Sequence, residues 1–394
     1  MTRNVNRRQV LIGAGAVAGW AISGADRWAC AAGSKAVIHE TKIISLQPQY
    51  YHGWPTVTRR KSGELSLIYS GGREEHVCPF GRLELMRSHD EGKTWGWPCV
   101  VLDTGIDNRD AGILETAKGT LLVTTFTSLD YLDLLREAEQ IPAGQPGTWA
   151  PERLKRWQAA RYRLTNLQRK SLLGVWMIRS TDGGLTWSTP YHCGVDSPHG
   201  PIQLSDGRLL YVGKAIGGDE RVGVCESTDD GQTWRWFAEI PPRPGDNAQA
   251  DYHELHAVEA AAGRLVAQIR NHNATNSFET LQTESSDGGI TWTSPHSIGV
   301  WGVPSHLLRL KDGRLLMTYG YRREPFGNQA RVSNDHGHTW SEAMTISGDG
   351  VGIDLGYPST VQLADGSLLS VWYELLKENP RAVLRQSHWT LAGK

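Results

Sequence analysis

The segment S-x-D-x-G-x-T-W occurs five times in this 394-residue chain, and no other feature limits the fold so tightly. The copies are Ser88–Trp95, Ser180–Trp187, Ser227–Trp234, Ser285–Trp292 and Ser333–Trp340. Each follows a short alternating run such as Arg82-Leu83-Glu84-Leu85-Met86-Arg87. The pattern describes a hairpin turn: the Asp carboxylate accepts from backbone N–H groups, Gly takes the left-handed position and Trp folds back on the strands. One copy would carry little weight. Five, each closing a strand, define a repeat architecture.

A second pattern counts six. An apolar strand runs into a turn and out again around Gly63, Gly119, Gly207, Gly263, Gly313 and Gly366. The box aspartates stand 47 to 58 residues apart, except for 92 between Asp90 and Asp182. An insertion over about 128–173, rich in Glu, Arg, Leu and Ala and helical in character, accounts for the excess. Six repeats of about four strands predict an all-β, six-bladed β-propeller with a helical insertion in its second blade. The sixth repeat has no box. Val383–Trp389 supplies its third strand and Ala36–Ser45 its outer one, so that closure removes the free sheet edges.

Residues 1–33 read as an export signal. Arg7-Arg8 precedes an apolar Ala/Gly-rich stretch ending near Ala29-Cys30-Ala31, the layout of a twin-arginine leader. That stretch is too short and too glycine-broken for a membrane span. The expected product is residues 34–394 as one domain, periplasmic or secreted, without a membrane span and monomeric. Lys and Arg number 41 against 42 Asp and Glu, which gives no electrostatic footprint for nucleic acid. Cys78, Cys99, Cys193 and Cys225 show no CxxC spacing, and no HExxH occurs, so neither metal nor cofactor is expected. In an exported chain those cysteines are open to either disulfides or buried thiols.

In a propeller the innermost strands begin around one mouth of a central channel. Counting back nine residues from each turn glycine gives Trp54, Asp110, Pro198, Glu254, Pro304 and Tyr357. Asp110, Glu254 and Tyr357 can do chemistry, and they fall on the second, fourth and sixth repeats.

With these motifs the chain resembles the bacterial sialidase (neuraminidase) superfamily, six-bladed propellers marked by the Asp box. The resemblance covers nearly all of residues 34–394. It implies a tyrosine nucleophile, Tyr357 in Gly356-Tyr357-Pro358, with Glu254 in His253-Glu254-Leu255-His256 as its base. This is the known exception to the two-carboxylate glycosidase scheme. A neutral tyrosine suits a substrate that is itself an anion. The resemblance also implies three arginines around the substrate carboxylate. Arg270 matches the second, and Arg322 or Arg323 the third. The first belongs in a Phe-Arg-Ile-Pro-like segment, which here reads His52-Gly53-Trp54-Pro55, so Arg73 or Arg109 would have to stand in. Glu374 falls where the family places a carboxylate that orients an arginine. The acid/base loop, Gly72–Gly81, holds no aspartate and offers Glu74 or His76 instead, with Asp110 as rival. His199 and His253 add polar character to the same rim.

Three functions fit this reading. One is an exo-acting glycosidase for terminal sialic acid or a related acidic sugar. The others are a glycosidase or lyase for another uronic or acidic glycan, and a glycan-binding propeller without catalysis.

Overall fold

The computed structural model describes residues 33–216 and 221–393. The leader expected over residues 1–33 therefore lies, save for its last residue, outside the described residues. Among these, 24 strands form six four-stranded antiparallel sheets arranged as propeller blades. The innermost strands are Tyr51–Arg59, Asp107–Glu115, Ile202–Gln203, Tyr252–Ala261, Ser305–Arg309 and Leu355–Gln362. Five blades are built from four strands consecutive in the chain. The sixth pairs Leu355–Gln362, Leu368–Glu374 and Val383–Ala392 in that order, and closes with Lys35–Ile43 from the other end of the chain.

That closure explains why the sixth repeat has no box. In blades one to five the box serine ends the third strand, and the turn carries the chain to the fourth. In blade six the fourth strand arrives from the N-terminal side, so there is no such turn to make.

Each second strand is apolar on both faces because each blade is sandwiched between two others. Side chains alternate in a strand, so successive residues enter different interfaces. Leu121 packs between blades one and two, and Leu122 between two and three. Leu265 and Val266 divide likewise, as do Leu315 and Leu316, and Leu368 and Leu369. The result is six buried inter-blade clusters in a ring.

The boxes reinforce this ring. Ser333 donates to Asp335 Oδ1 at 2.7 Å, Gly337 N–H to Ser333 Oγ at 2.8 Å, and Thr339 to Asp335 through N–H (2.9 Å) and Oγ1 (2.6 Å). Gly337 has φ +90 and lies so close to the next blade that a Cβ would stand 2.8 Å from Val266. Glycine is required there for both reasons.

Between the second and third strands of blade two run three helices: α1 (Tyr131–Gln140), α2 (Pro151–Tyr162) and α3 (Asn166–Ser171). They enclose a seventh cluster, with Tyr131, Leu135 and Trp157 packed against Cys78 and Ile106. Phe80 of blade one meets Trp157 edge-on at 6.4 Å. Blade two thus leans over the 73–81 loop of blade one. Cys78, Cys193 and Cys225 are buried free thiols, and Cys99 is an exposed one.

Candidate active site

The innermost strands of blades one, two, four and six share one irregularity. Ladder pairing lapses between Gly53 and Thr56, Arg109 and Gly112, His253 and His256, and Gly356 and Ser359. Within each gap one residue takes a left-handed backbone: Trp54 (φ 53), Asp110 (φ 47), Glu254 (φ 46) and Tyr357 (φ 52). These are the residues that counting back from the turn glycines singles out. For a residue other than glycine such a conformation costs about 1–3 kcal/mol, and its clustering marks functional sites. In blade three the left-handed residue is His199 (φ 73), one position after Pro198.

Tyr357 and Glu254 meet across the mouth. The Tyr357 hydroxyl donates to Glu254 Oε1, and Arg270 Nη1 donates to Glu254 Oε2 at 2.5 Å and to the Tyr357 oxygen at 3.2 Å. Arg322 lies over the Tyr357 ring, its Cζ 5.9 Å from the centroid, and donates to the Leu355 carbonyl at 3.1 Å. Burial would push Glu254 up. The Arg270 charge, hydrogen bonds from Arg270 and Tyr357, and the Arg322 charge hold it below the usual carboxylate range instead. Burial, with the negative charges of Glu254 and Asp110, drives Tyr357 well above an ordinary phenol. The resting pair is therefore a neutral phenol hydrogen-bonded to a carboxylate.

Asp110 is the second carboxyl of the mouth. Burial first, and then the charge of Glu254, raises it to about 7. The two carboxyls of the mouth thus titrate in different ranges, Asp110 above and Glu254 below the usual carboxylate range. Asp196, buried beside them, is pushed up for the same reasons and leaves its Oδ1 unbonded.

Several residues expected at the site serve elsewhere. Arg73 is fully buried. Its Cζ lies 4.7 Å from the Trp54 ring centroid, but its guanidinium is engaged by Asp107 (2.5 and 3.0 Å), Ser70 and backbone carbonyls. Glu74 accepts from Arg156 (2.8 Å) and Trp157 Nε1 (2.9 Å) of α2, which ties it to the helices rather than to the mouth. Glu374 does orient an arginine, but that partner is Arg385 at 2.6 Å, with Trp372 Nε1 on the same oxygen. It is buried and touches no mouth arginine. Arg323 is exposed and stacks on Trp301 at 5.3 Å.

His199 belongs to the channel interior rather than the rim. It bonds Thr56 Oγ1 at 3.1 Å and packs with His256 and His306, ring centroids 4.7 to 5.4 Å apart. These three, with Thr56 and Thr360, line a cavity of about 390 Å³ further along the innermost strands. Burial lowers all three imidazoles, so they stand neutral. His253 stays near the rim, bonded to Ala250 O at 3.0 Å and beside His272.

Arg109 and His76 do reach the mouth. Arg109 Cζ lies 4.7 Å from the Trp54 ring centroid, and its buried Nε has no partner. Arg270 and Arg322 share that condition at Nε. His76 Nδ1 is 3.0 Å from Asp354 Oδ1 and 2.9 Å from the Tyr51 hydroxyl, with its ring edge-on to Trp54. Three further mouth residues, Asp354, Tyr51 and Tyr373, were not singled out from the sequence. Tyr51 donates to Asp354 at 3.0 and 3.1 Å, and Tyr373 donates at 3.0 Å. The only sequence signal for Asp354 was its place three residues before Tyr357.

Boxed blades thus surround a mouth with a tyrosine–carboxylate pair set in arginines. A family model described as a BNR repeat-like domain matches residues 171–369, and the chain belongs to that family, within the bacterial sialidase superfamily. It is 28% identical over 204 residues to a sialidase of Micromonospora viridifaciens, covering 43% of this chain and 31% of that one. It is 27% identical over 244 residues to a xyloglucanase of a Paenibacillus species, covering 54% of this chain and 22% of that one. The chain thus spans less than a third of either relative. Among solved structures, a Dyadobacter fermentans protein of unknown function shares the fold at a TM-score of 0.71 and 24% identity, over 92% of this chain and all of that one.

Proposed function

We propose that this chain is an exo-acting glycoside hydrolase that releases a terminal acidic sugar, sialic acid or a relative, with retention through a glycosyl intermediate on Tyr357. The observation that carries the reading is the Tyr357–Glu254–Arg270 contact, formed between blades four and six with Tyr357 and Glu254 at left-handed backbone positions. As Tyr357 Oη attacks the anomeric carbon, its proton passes to Glu254 Oε1 and the bond to the leaving oxygen breaks. Water then attacks the same carbon, the phenolate departs, and Glu254 returns the proton. Arg270 keeps Glu254 ionised before attack and sits against the Tyr357 oxygen, where negative charge develops as that oxygen attacks and again as it departs.

The buried Nε–H groups of Arg109, Arg270 and Arg322 at the mouth have no acceptor within the chain, and a substrate carboxylate could accept from them. The relatives named above include a sialidase and a xyloglucanase, and both act on glycans. One feature favours a sugar other than sialic acid. Gly53 stands where the resemblance implies an arginine, and Arg73 is committed to Asp107.

A panel of 4-methylumbelliferyl glycosides, the α-sialoside against uronides, assays both the reaction and the sugar. Tyr357→Phe should lower turnover of the best substrate more than about 10³-fold while leaving the thermal midpoint within a few degrees. Full activity in that variant would remove the tyrosyl mechanism. Release of an unsaturated uronate absorbing in the ultraviolet would identify a lyase instead.

A further inference from the structure

We propose that His76, oriented by Asp354, is the proton donor to the leaving group and the base for the incoming water. The proposal rests on the tyrosyl reading above.

The loop that carries His76 is clamped on both sides of it. On one side Arg73 is locked to Asp107 and also donates to the backbone carbonyls of Glu75 and His76. On the other, Phe80 abuts Trp157, while Glu74 and Glu75 are held by Arg156, Trp157 and Arg153 of α2. Among these side chains His76 is turned toward the mouth. It faces Asp354 and Tyr51, and its ring meets Trp54 at 5.0 Å. Trp54 in turn meets Tyr357 at 6.4 Å, so one indole spans the gap between the imidazole and the nucleophile.

Asp354 fixes the proton inventory. It receives His76, Tyr51 and Tyr373. Burial would push its carboxyl up, but the bond and charge of His76 and the two tyrosines hold it below the usual range. A carboxylate on Nδ1 sets the ring's tautomer and orientation. Nε2 is then the nitrogen that exchanges protons with the substrate. The charged and titratable groups facing His76 are Asp354, Tyr51 and, through Asp354, Tyr373, with Arg73 on its carbonyl.

Exposure separates His76 from the other candidates. In an exo-acting enzyme the aglycone points to solvent, so its proton donor must sit at the open rim. The His76 side chain is 45% exposed, whereas Asp110 is 4% exposed and lies deep beside Glu254. The balance closes. Nε2–H protonates the leaving oxygen as the glycosidic bond breaks, and neutral Nε2 takes a proton from the water that cleaves the tyrosyl intermediate.

The test is leaving-group dependence on the glycoside selected by the panel. His76→Gln should lower kcat/KM on an alkyl glycoside or disaccharide about 10²–10⁴-fold, and on a dinitrophenyl glycoside less than about tenfold, because that anion leaves unaided. Asp354→Asn, acting as a positioning change, should cost about tenfold on the poor leaving group alone. Equal losses on both substrates would overturn the assignment, as would an Asp110→Asn variant that shows the leaving-group pattern while His76→Gln does not. If Tyr357→Phe is inactive and His76→Gln shows no leaving-group effect, only the histidine fails. If Tyr357→Phe is active, or the native chain turns over none of the glycosides, the underlying reading fails with it.

Discussion

At the outer turns of five blades, Asp90, Asp182, Asp229, Asp287 and Asp335 each sit in the same cage of Ser, Thr and backbone donors. All five are held below the ordinary carboxylate range, and for Asp90, near 2, the hydrogen bonds of Thr94 are the largest cause. At the channel mouth, Asp110 and Glu254 occupy equally repeated positions on strained backbone. One is raised by burial and the other lowered by Arg270, and their contacts differ completely. The periphery repeats a sequence and satisfies it the same way each time. The mouth repeats only a backbone shape, and each blade fills it with different chemistry. Where a fold is symmetric, repeated residues carry stability, and divergent residues at equivalent positions carry function.

Replacing one carboxylate oxygen by an amide at three places probes that contrast with a single chemical change. Glu254→Gln should have the largest effect. It removes the carboxylate that accepts from Tyr357 and the counter-charge of buried Arg270 together. The expected loss is about 10²–10⁴-fold in kcat, with stability reduced by about 3–5 kcal/mol as an ion pair is broken from one side. Activity within tenfold of the native chain would show that Glu254 is a structural carboxylate like those of the boxes.

Asp110→Asn should act in the opposite direction and depend on pH. Asp110 is raised from an unfolded value near 4 to about 7, so the folded state keeps its proton where the unfolded chain has lost it. Its contribution is fully present below about pH 4 and is lost as pH rises toward about 7. The amide removes that loss. Denaturation midpoints for the variant and the native chain should agree near pH 4 and diverge by pH 8 in favour of the variant, by at most about 4 kcal/mol. A constant difference across this range would show that Asp110 does not titrate in it.

Much of this molecule could be read from its sequence, because its repeats are local. The hairpin boxes, the turn glycines and the nine-residue count to Trp54, Asp110, Glu254 and Tyr357 all depend on residues close together in the chain. What could not be read was the pairing of charges between distant segments. Arg73 looked like a spare guanidinium because Asp107, 34 residues on, shows no link to it in the sequence. Glu74 looked free because α2 and its Arg156 lie 82 residues away. Blade three defeated the count because its innermost strand is only Ile202–Gln203, and its left-handed residue falls at His199. Asp354 gave no motif, since its three donors come from three separate segments.

Asp335→Asn should have the smallest effect. The amide oxygen can still accept from the Thr339 backbone and from Ser333, which are 2.9 and 2.7 Å away in the native turn. What disappears is the charge, together with the bond from Thr339 Oγ1 at 2.6 Å. Asp335 is half-exposed, so solvent screens much of that loss, and about 1 kcal/mol or less is expected near pH 7. The sign of its pH dependence is opposite to that of Asp110. The carboxylate is held low, so its contribution is present above about pH 4 and is lost as pH falls through the folded value. The variant and the native chain should therefore converge in acid, with turnover unchanged throughout. A loss of activity without a loss of stability would place the box turn in contact with substrate and dissolve the division between periphery and mouth.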